Sequence, residues 1–286
     1  MNVKGTLIPI GGNEDKEHNS KERYTIEYIE EGILSRVVKE SGGVKAKIIV
    51  ITTASSIPVK VGEIYMKAFT KLGCNNVNIL DIQSKKDAEK PESIALVKTA
   101  NCIMFSGGKQ SRITDKIGDT TIHNIMMDRF YNEEGFVIAG TSAGAMAMTK
   151  EMIAGGSSTE AFFKGTVTMY KGLGFAPNLI FDTHFIKRGR FGRQAEAMAK
   201  FPNILGIGLA EDTGLVIKKC EEIEVIGSGM IIIFDANNLS HNNESLLKNG
   251  TPMSMSNLVV HILSNGDHFN IKTRKVKVLP IDAPFV

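Results

Sequence analysis

The feature that most constrains the fold is an alternation, from residue 6 to about residue 150, of short apolar runs with segments of helical length. Short apolar runs are typical of buried strands, and helical segments between them connect parallel strands. The strand-like runs lie at 6–10, 47–52, 76–80, 101–105 and 136–139. The pattern therefore predicts an α/β fold with a mostly parallel central sheet flanked by helices.

Two of the intervening segments carry helix signals. Residues 59–72 place apolar side chains at helical spacing and end before Gly73, a residue suited to the position just after a helix. Ser20 can cap a helix that runs toward residue 40. Helices of this kind would cover both faces of the sheet.

The composition changes after residue 202, where β-branched runs alternate with clusters of Gly, Asn and Ser. Such runs predict additional, partly antiparallel strands. They lie at 204–209, 214–218, 223–227, 230–234, 258–263, 267–271 and 275–279. Strands resume on both sides of residues 237–257, so we interpret that stretch as a surface loop and expect residues 1–286 to form a single domain.

Charge and composition exclude several classes of protein. A net charge of +3 without a dense basic block argues against nucleic acid as a partner. We expect neither a signal peptide nor a membrane span, which makes the cytoplasm the expected location. Cys74, Cys102 and Cys220 fit neither a disulfide framework nor a metal site, and the six histidines lack ligand spacing, so no catalytic metal is predicted.

The sequence Gly-Thr-Ser-Ala-Gly at residues 140–144 follows an apolar run and precedes a helix-like segment. This is the strand, turn and helix context of a nucleophile elbow, in which small neighbours let a serine sit at the tip of a strained turn. Ser142 is therefore a candidate nucleophile. The alternative is an ordinary turn of small residues, which is common in α/β proteins.

A serine hydroxyl needs a neighbouring base. His184 follows an apolar run, and strand alternation would place Asp182 on the same face near the edge of the sheet. Glu211 and Asp212 follow the next run, and either acid could orient the imidazole. The alternatives are a core histidine and acids that merely occupy a wet turn.

Glycine-rich turns follow three of the predicted strands, at 11–12, 107–108 and 140–144, and should gather at the carboxyl edge of the sheet. The first of them lacks the G-x-G-x-x-G pattern and is followed by two acids, so we expect no nucleotide site. The N–H groups of Gly108 and Ala143 could form an oxyanion hole, with Gln110 beside it to position substrate.

Three arginines, Arg188, Arg190 and Arg193, lie close to His184 in the sequence. Because guanidinium groups bind carboxylates in bidentate fashion, the cluster favours an anionic substrate such as an acidic peptide. The alternative is an exposed helix start whose cations face water.

With these residues assembled, nearly the whole chain resembles the cyanophycinases. These serine peptidases are related to aspartyl dipeptidase and share their sheet architecture with class I glutamine amidotransferases. The motifs that carry the resemblance are Gly-Gly-Asn-Glu-Asp-Lys at 11–16, Phe-Ser-Gly-Gly-Lys-Gln at 105–110, Gly-Thr-Ser-Ala-Gly-Ala at 140–145, Asp-Thr-His-Phe at 182–185, Arg-Gly-Arg-Phe-Gly-Arg at 188–193 and Gly-Ile-Gly-Leu-Ala-Glu-Asp-Thr at 206–213.

The resemblance implies that Ser142 is the nucleophile, His184 the base and Glu211 its orienting acid. It implies substrate contacts for a further set of residues: Gln110, Asp182, Arg188, Arg190 and Arg193. It also implies a homodimer without a cofactor that releases β-Asp-Arg dipeptides from cyanophycin, a poly-aspartate whose side chains carry arginine through isopeptide bonds. Two positions differ from the family pattern, Lys109 and Thr183.

Three other functions remain for comparison. An aspartyl dipeptidase would use the same residues on short Asp-X peptides, and a non-catalytic binding protein would keep the fold and a carboxylate pocket. A glutamine amidotransferase is disfavoured because that chemistry uses a cysteine where this chain has Ser142.

Overall fold

The computed structural model describes residues 3–16, 27, 30, 32–157, 160 and 162–280. The helices are α1 (Ile33–Glu40), α2 (Pro58–Lys71), α3 (Lys85–Ala88), α4 (Pro91–Thr99), α5 (Gln110–Ile117), α6 (Thr121–Asn132), α7 (Ala143–Ala147) and α8 (Phe191–Lys200), with a 3-10 turn at Glu244–Leu246.

The strands are β1 (Thr6–Ile10), β2 (Ile48–Ile51), β3 (Val77–Leu80), β4 (Cys102–Phe105), β5 (Val137–Thr141), β6 (Glu151–Gly156), β7 (Val167–Lys171), β8 (Leu179–Asp182), β9 (Leu205–Leu209), β10 (Thr213–Lys218), β11 (Glu222–Gly227), β12 (Met230–Asp235), β13 (Val259–Ser264), β14 (His268–Asn270) and β15 (Val276–Lys277).

The central sheet contains nine strands in the order β15-β14-β11-β10-β1-β5-β4-β2-β3. From β1 to β3 every neighbouring pair is parallel. From β1 to β15 every pairing is antiparallel. The predicted fold class is confirmed, with helices beside a sheet whose N-terminal strands are parallel and whose C-terminal extension is antiparallel.

A second sheet of four strands, β13-β12-β9-β8, was not expected as a separate unit. Strand β8 pairs in parallel with β9, and β9 pairs antiparallel with β12. A third, two-stranded sheet consists of the hairpin β6-β7, which the sequence analysis did not predict. Its half-exposed residues lack the continuous apolar character that identified the buried strands.

The alternating side chains of β2 explain why the parallel strands have no polar face. Ile49 and Ile51 belong to one core cluster, and Ile48 and Val50 belong to the other. All four are completely buried, because helices cover both sides of the sheet. Burial of a side chain of this size contributes roughly 1.5–3 kcal/mol.

Of the two helix-end residues that the sequence indicated, Gly73 lies within the described residues. Helix α2 ends at Lys71, and Gly73 follows its C-cap with a φ of 85° and donates its N–H to the carbonyl of Thr70. The predicted role of Gly73 as the residue after the helix is confirmed. The proposed Ser20 cap lies outside the described residues, and the described helix that leads to residue 40 begins at Ile33.

The carboxyl ends of five strands converge at one edge. In the central sheet Ile10 pairs with Thr141 and Phe105 pairs with Gly140, so β1, β4 and β5 end side by side. In the second sheet Asp182 pairs with Gly208, so β8 and β9 also end together. Candidate catalytic residues follow β5, β8 and β9.

No helix in the described part of the chain is long and apolar enough to cross a membrane.

Candidate active site

Ser142 occupies a strained turn between β5 and α7. Its φ of 51° and ψ of −112° are unusual for a residue with a side chain, and such backbone strain costs on the order of 1–3 kcal/mol. The turn is held by the Ser142 N–H, which donates to the carbonyl of Ile10 at 2.8 Å. A Cβ at position 144 would lie 2.4 Å from the carbonyl oxygen of Phe105, so Gly144 permits the close approach of α7 to β4. The serine hydroxyl therefore projects from a rigid turn.

His184 lies beside this serine, with Ser142 Oγ 2.9 Å from His184 Nε2. The residue has a φ of 49° and its N–H donates to the carbonyl of Gly11 at 2.8 Å. Gly12, with a φ of 104°, lies against the ring, and a Cβ there would lie 2.6 Å from Nε2. The glycine at position 12 is thus required for the position of the imidazole.

Glu211 completes the contact series, since its Oε1 lies 2.6 Å from His184 Nδ1. An ionised carboxylate can only accept hydrogen bonds, so Nδ1 carries the ring proton and Nε2 accepts from the Ser142 hydroxyl. Burial alone would raise the Glu211 pKa, but hydrogen bonds from Lys187, His184 and Asn13 outweigh it and the pKa is lowered. Glu211 therefore stays ionised at neutral pH and fixes the tautomer that a general base needs.

Asp212, the other acid that the spacing left open, has a different environment. Its Oδ1 accepts the Asp15 N–H at 3.1 Å and its Oδ2 accepts the hydroxyl of Ser228. Burial raises the pKa of Asp212 to about 6. Its contacts connect the turn after β9 to the loop after β1, and the imidazole contact belongs to Glu211.

The two predicted oxyanion donors follow the ends of β4 and β5. Gly108 follows β4 with a φ of 144°, and Ala143 is the first residue of α7. Among the described residues neither N–H has a hydrogen-bond acceptor within the protein. Both N–H groups therefore keep a free donor, as an oxyanion hole requires, and Gly108 also lines the cavity described below.

A cavity of about 500 Å³ opens at Ser142, a size suited to a small-molecule or dipeptide ligand. It is lined by the serine, His184 and Arg188, by the loop after β1, by the glycines after β4 and by one face of α2. Arg188 is the member of the predicted substrate-binding set that lines it.

The structure places Asp182 and Arg193 away from this cavity, in a correction to the sequence interpretation. Asp182 is completely buried and accepts hydrogen bonds from Arg193 and from Arg190, whose Nη1 lies 2.9 Å from Oδ1. A buried carboxylate must be paired, and the two guanidinium groups neutralise it. Strand β8 ends at Asp182, so the alternation that was to align it with His184 does not continue.

Arg190 and Gln110 are also engaged within the protein. Arg190 Nη1 donates to the carbonyl of Thr183 at 2.6 Å, which supports the segment that carries His184. The amide nitrogen of Gln110 donates to the carbonyls of Ile153 and Ala154, at 2.9 and 3.1 Å, and so connects α5 to β6. In this structure both side chains donate hydrogen bonds to backbone carbonyls, and neither is among the described residues that line the cavity.

Comparison with known proteins identifies the chain. Residues 20–225 match the family model described as peptidase family S51. The chain belongs to peptidase family S51. This membership agrees with the serine, imidazole and carboxylate series and makes the protein a serine-type peptidase.

Curated relatives of this peptidase match over most of their length. The cyanophycinase of Trichormus variabilis is 36% identical over 96% of this chain and 88% of its own length. The cyanophycinase of Geminocystis herdmanii is 35% identical over 96% of each chain, and that of Thermosynechococcus vestitus is 33% identical over 96% of this chain and 81% of its own. The resemblance to cyanophycinases is confirmed.

A solved structure supports the fold of the peptidase. The crystal structure of a peptidase from an acI-B1 Actinobacterium matches with a TM-score of 0.64 and 20% identity, over 94% of this chain and 98% of that one. A putative peptidase E protein from Listeria monocytogenes EGD-e matches with a TM-score of 0.50 and 13% identity, over 78% and 98%. At these identities the likeness concerns the fold alone.

Sequence reasoning missed several residues that surround the site of the peptidase. Lys187 Nζ donates to Glu211 Oε2 at 2.7 Å, and Asn13 also bonds this carboxylate. Glu14 and Lys16 line the cavity. Their position in the sequence could have identified them. Lys187 adjoins the arginine cluster, and residues 13–16 directly follow a glycine turn at the end of β1.

The charges around His184 set the pH range in which it can accept a proton. Burial lowers the pKa of His184, the cations Arg188 and Arg190 lower it further, and Glu211 opposes the shift. The imidazole is therefore neutral at lower pH than an ordinary histidine. We expect kcat/KM to rise with pH along an acidic limb whose midpoint lies below 6.5, the usual pKa of the side chain.

Lys187→Gln tests this electrostatic interpretation. Without the cation at its second oxygen, the Glu211 carboxylate stabilises the imidazolium more strongly, which raises the pKa of His184. We therefore expect the acidic limb of kcat/KM to move toward higher pH. Lys171→Gln is the matched control, because the Lys171 pair with Asp119 is exposed and lies outside the cavity lining. A limb that stays in place in Lys187→Gln would contradict the interpretation.

Proposed function

We propose that this protein is a serine exopeptidase that hydrolyses cyanophycin to β-Asp-Arg dipeptides through an acyl-enzyme. The observation that carries the proposal is the contact of Ser142 Oγ with His184 Nε2, at 2.9 Å, on an imidazole whose Nδ1 lies 2.6 Å from Glu211. The similarity to cyanophycinases, at 33–36% identity over 96% of the chain, supports the substrate.

In the first half of the reaction, Ser142 Oγ attacks an aspartyl carbonyl carbon while His184 Nε2 takes the hydroxyl proton. The carbonyl oxygen becomes an oxyanion, which the N–H groups of Gly108 and Ala143 would stabilise. Collapse of the tetrahedral intermediate breaks the C–N bond, and His184 passes its proton to the leaving amine. Glu211 stabilises the imidazolium between these two transfers without taking up a proton.

In the second half, a water molecule attacks the ester carbonyl as His184 Nε2 removes one of its protons. The C–O bond to Ser142 then breaks and the same proton returns to the serine oxygen. The dipeptide leaves with a free carboxylate. Arg188, which is exposed at the cavity, is suited to hold a substrate carboxylate during both halves.

The two departures from the family pattern lie outside the cavity lining. Lys109 is exposed beyond Gly108, and Thr183 is buried with its hydroxyl 3.4 Å from the sulfur of Met146. Neither side chain lines the cavity in the described part of the protein. The departures therefore leave the described lining of the cavity unchanged.

Mass spectrometry of the products from cyanophycin tests the proposal. We expect the wild-type protein to release β-Asp-Arg, with slower or no cleavage of Asp-X dipeptides. Cleavage of Asp-X dipeptides without cleavage of cyanophycin would favour the aspartyl dipeptidase. Binding of acidic peptides without any cleavage would favour a non-catalytic protein.

We also propose that residues 1–286 act as one domain, that two copies associate as a homodimer and that the protein works in the cytoplasm. The resemblance to cyanophycinases supports the homodimer. Sedimentation equilibrium of the full chain tests the assembly, and a monomer at micromolar concentration would contradict it.

A further inference from the structure

One half of the cavity beside Ser142 has no part in the proposed mechanism. It consists of Val61, Ile64 and Tyr65 on one face of α2 and of Glu14 and Lys16 in the loop after β1. Positions 64 and 65 lie three and four residues after position 61, so the side chains of both lie beside that of Val61 on one side of the helix. Val61 and Ile64 are half-buried and present aliphatic surface.

Lys16 is held in place in this half of the cavity. Its Nζ lies 2.7 Å from Glu14 Oε1, 3.3 Å from the carbonyl oxygen of Glu14 and 5.2 Å from the centre of the Tyr65 ring. An ammonium group has three N–H donors, and these contacts to Glu14 use two of them. Among the described residues the third donor has no acceptor, which leaves it for a ligand in the cavity.

Glu14 holds Lys16, and its own carboxylate is buried and bonded within the protein. Its side chain is 0% exposed and accepts hydrogen bonds from the hydroxyls of Tyr65, at 2.6 Å, and Thr141, at 2.5 Å. Burial alone would raise the pKa of Glu14, but Lys16, Thr141 and Tyr65 outweigh it and the pKa is lowered. Glu14 is therefore an ionised support, fixed by the residue that precedes Ser142.

The charges that the described lining presents to the cavity are consequently positive. Lys16 and Arg188 are its cationic lining residues, and Glu14, which is buried and paired, is the carboxylate among the described residues that line it. Such a lining favours a ligand carboxylate with an aliphatic chain, and the described residues that form it offer no exposed acid to a guanidinium group.

We infer that Lys16, Val61 and Ile64 form a subsite for an arginyl arm next to the bond that is cut. Lys16 binds the α-carboxylate of the arm, and Val61 and Ile64 contact its aliphatic stem. The guanidinium group points out of the cavity. This inference rests on the proposed function, since the arm of cyanophycin carries a free α-carboxylate at one end of its aliphatic chain.

The test is a cycle that combines Lys16→Met with a change in the substrate. Two oligomers are compared, one of β-Asp-Arg units and one in which every arm ends in an arginine amide. With the first oligomer we expect Lys16→Met to raise KM about 10-fold, because a hydrogen bond to a charged group is lost. With the amide oligomer the increase should be no more than about 2-fold, which gives a coupling between Lys16 and the carboxylate.

Two further variants keep the test decisive. Lys60→Met is the matched control, because Lys60 is exposed on the same helix and does not line the cavity, and it should leave both KM values unchanged. Lys16→Met leaves Glu14 buried without its cation and can impair folding. The double variant Glu14→Gln/Lys16→Met removes that charge as well, and the same coupling is expected from it.

Equal effects of Lys16→Met on the two oligomers, or equal effects of the double variant, would overturn the inference. Failure of the proposed function is distinguishable, because the wild-type protein would then cleave neither oligomer.

Discussion

Ser142→Ala is expected to lower kcat for cyanophycin by at least about 10⁴-fold with KM within about 3-fold of wild type, because removal of a catalytic serine removes the acyl-enzyme route while binding contacts remain. Ser142 Oγ is the atom that contacts His184, and the remaining cavity lining is unchanged by the substitution. Steady-state assays with cyanophycin, followed by release of β-Asp-Arg, measure both constants.

Ser142→Gly removes the serine hydroxyl and also relieves the backbone strain of the turn, so its effects on activity and on stability can be compared. Glycine adopts a φ of 51° without the penalty that a side chain incurs. We therefore expect Ser142→Gly to be as inactive as Ser142→Ala. Its free energy of unfolding should exceed that of Ser142→Ala by about 1 kcal/mol. Substantial activity in either variant would mean that Ser142 is not the nucleophile.

Glu211→Gln is expected to lower kcat by roughly 10³–10⁴-fold, because an amide in place of the carboxylate allows the wrong imidazole tautomer. The Gln N–H group can donate to Nδ1, which moves the ring proton to Nε2 and directs it at the serine. His184 could then no longer accept the Ser142 proton. Measurement of kcat across pH shows whether the loss persists on the plateau above the pKa of His184.

Asp212→Asn distinguishes the two adjacent acids. Asparagine keeps one carbonyl oxygen that can accept the Asp15 N–H, and its amide N–H can donate to the oxygen of the Ser228 hydroxyl, so we expect a loss in kcat of no more than about 10-fold. A larger loss in Asp212→Asn than in Glu211→Gln would assign the orienting acid to Asp212 and contradict the geometry.

The parallel half of the sheet could be predicted because its strands are short, apolar on both faces and separated by helices. Ile48 to Ile51 illustrate this, since every side chain is buried. The glycine turns at the ends of β1, β4 and β5 could be placed at one edge for the same reason. The hairpin β6-β7 could not, because its exposed residues carry no such periodicity.

Within the site, chemical type was predictable and pairing was not. A serine, a histidine and an acid after three strand ends indicated a proton relay, but spacing alone did not choose Glu211 over Asp212. The sequence also could not show that Asp182 is buried between two arginines, because charge pattern does not reveal partners. The sequence did not bring Lys16 and Val61 together, because they are far apart in the chain and meet only at the folded cavity.

The central claim is that Ser142 is an activated nucleophile, and covalent labelling tests it most directly. The wild-type protein is treated with a fluorophosphonate and its intact mass and labelled peptide are determined. We predict one phosphonyl adduct on Ser142, no adduct in Ser142→Ala and much slower labelling in His184→Ala. Folded wild-type protein that stays unlabelled at Ser142 would contradict the account.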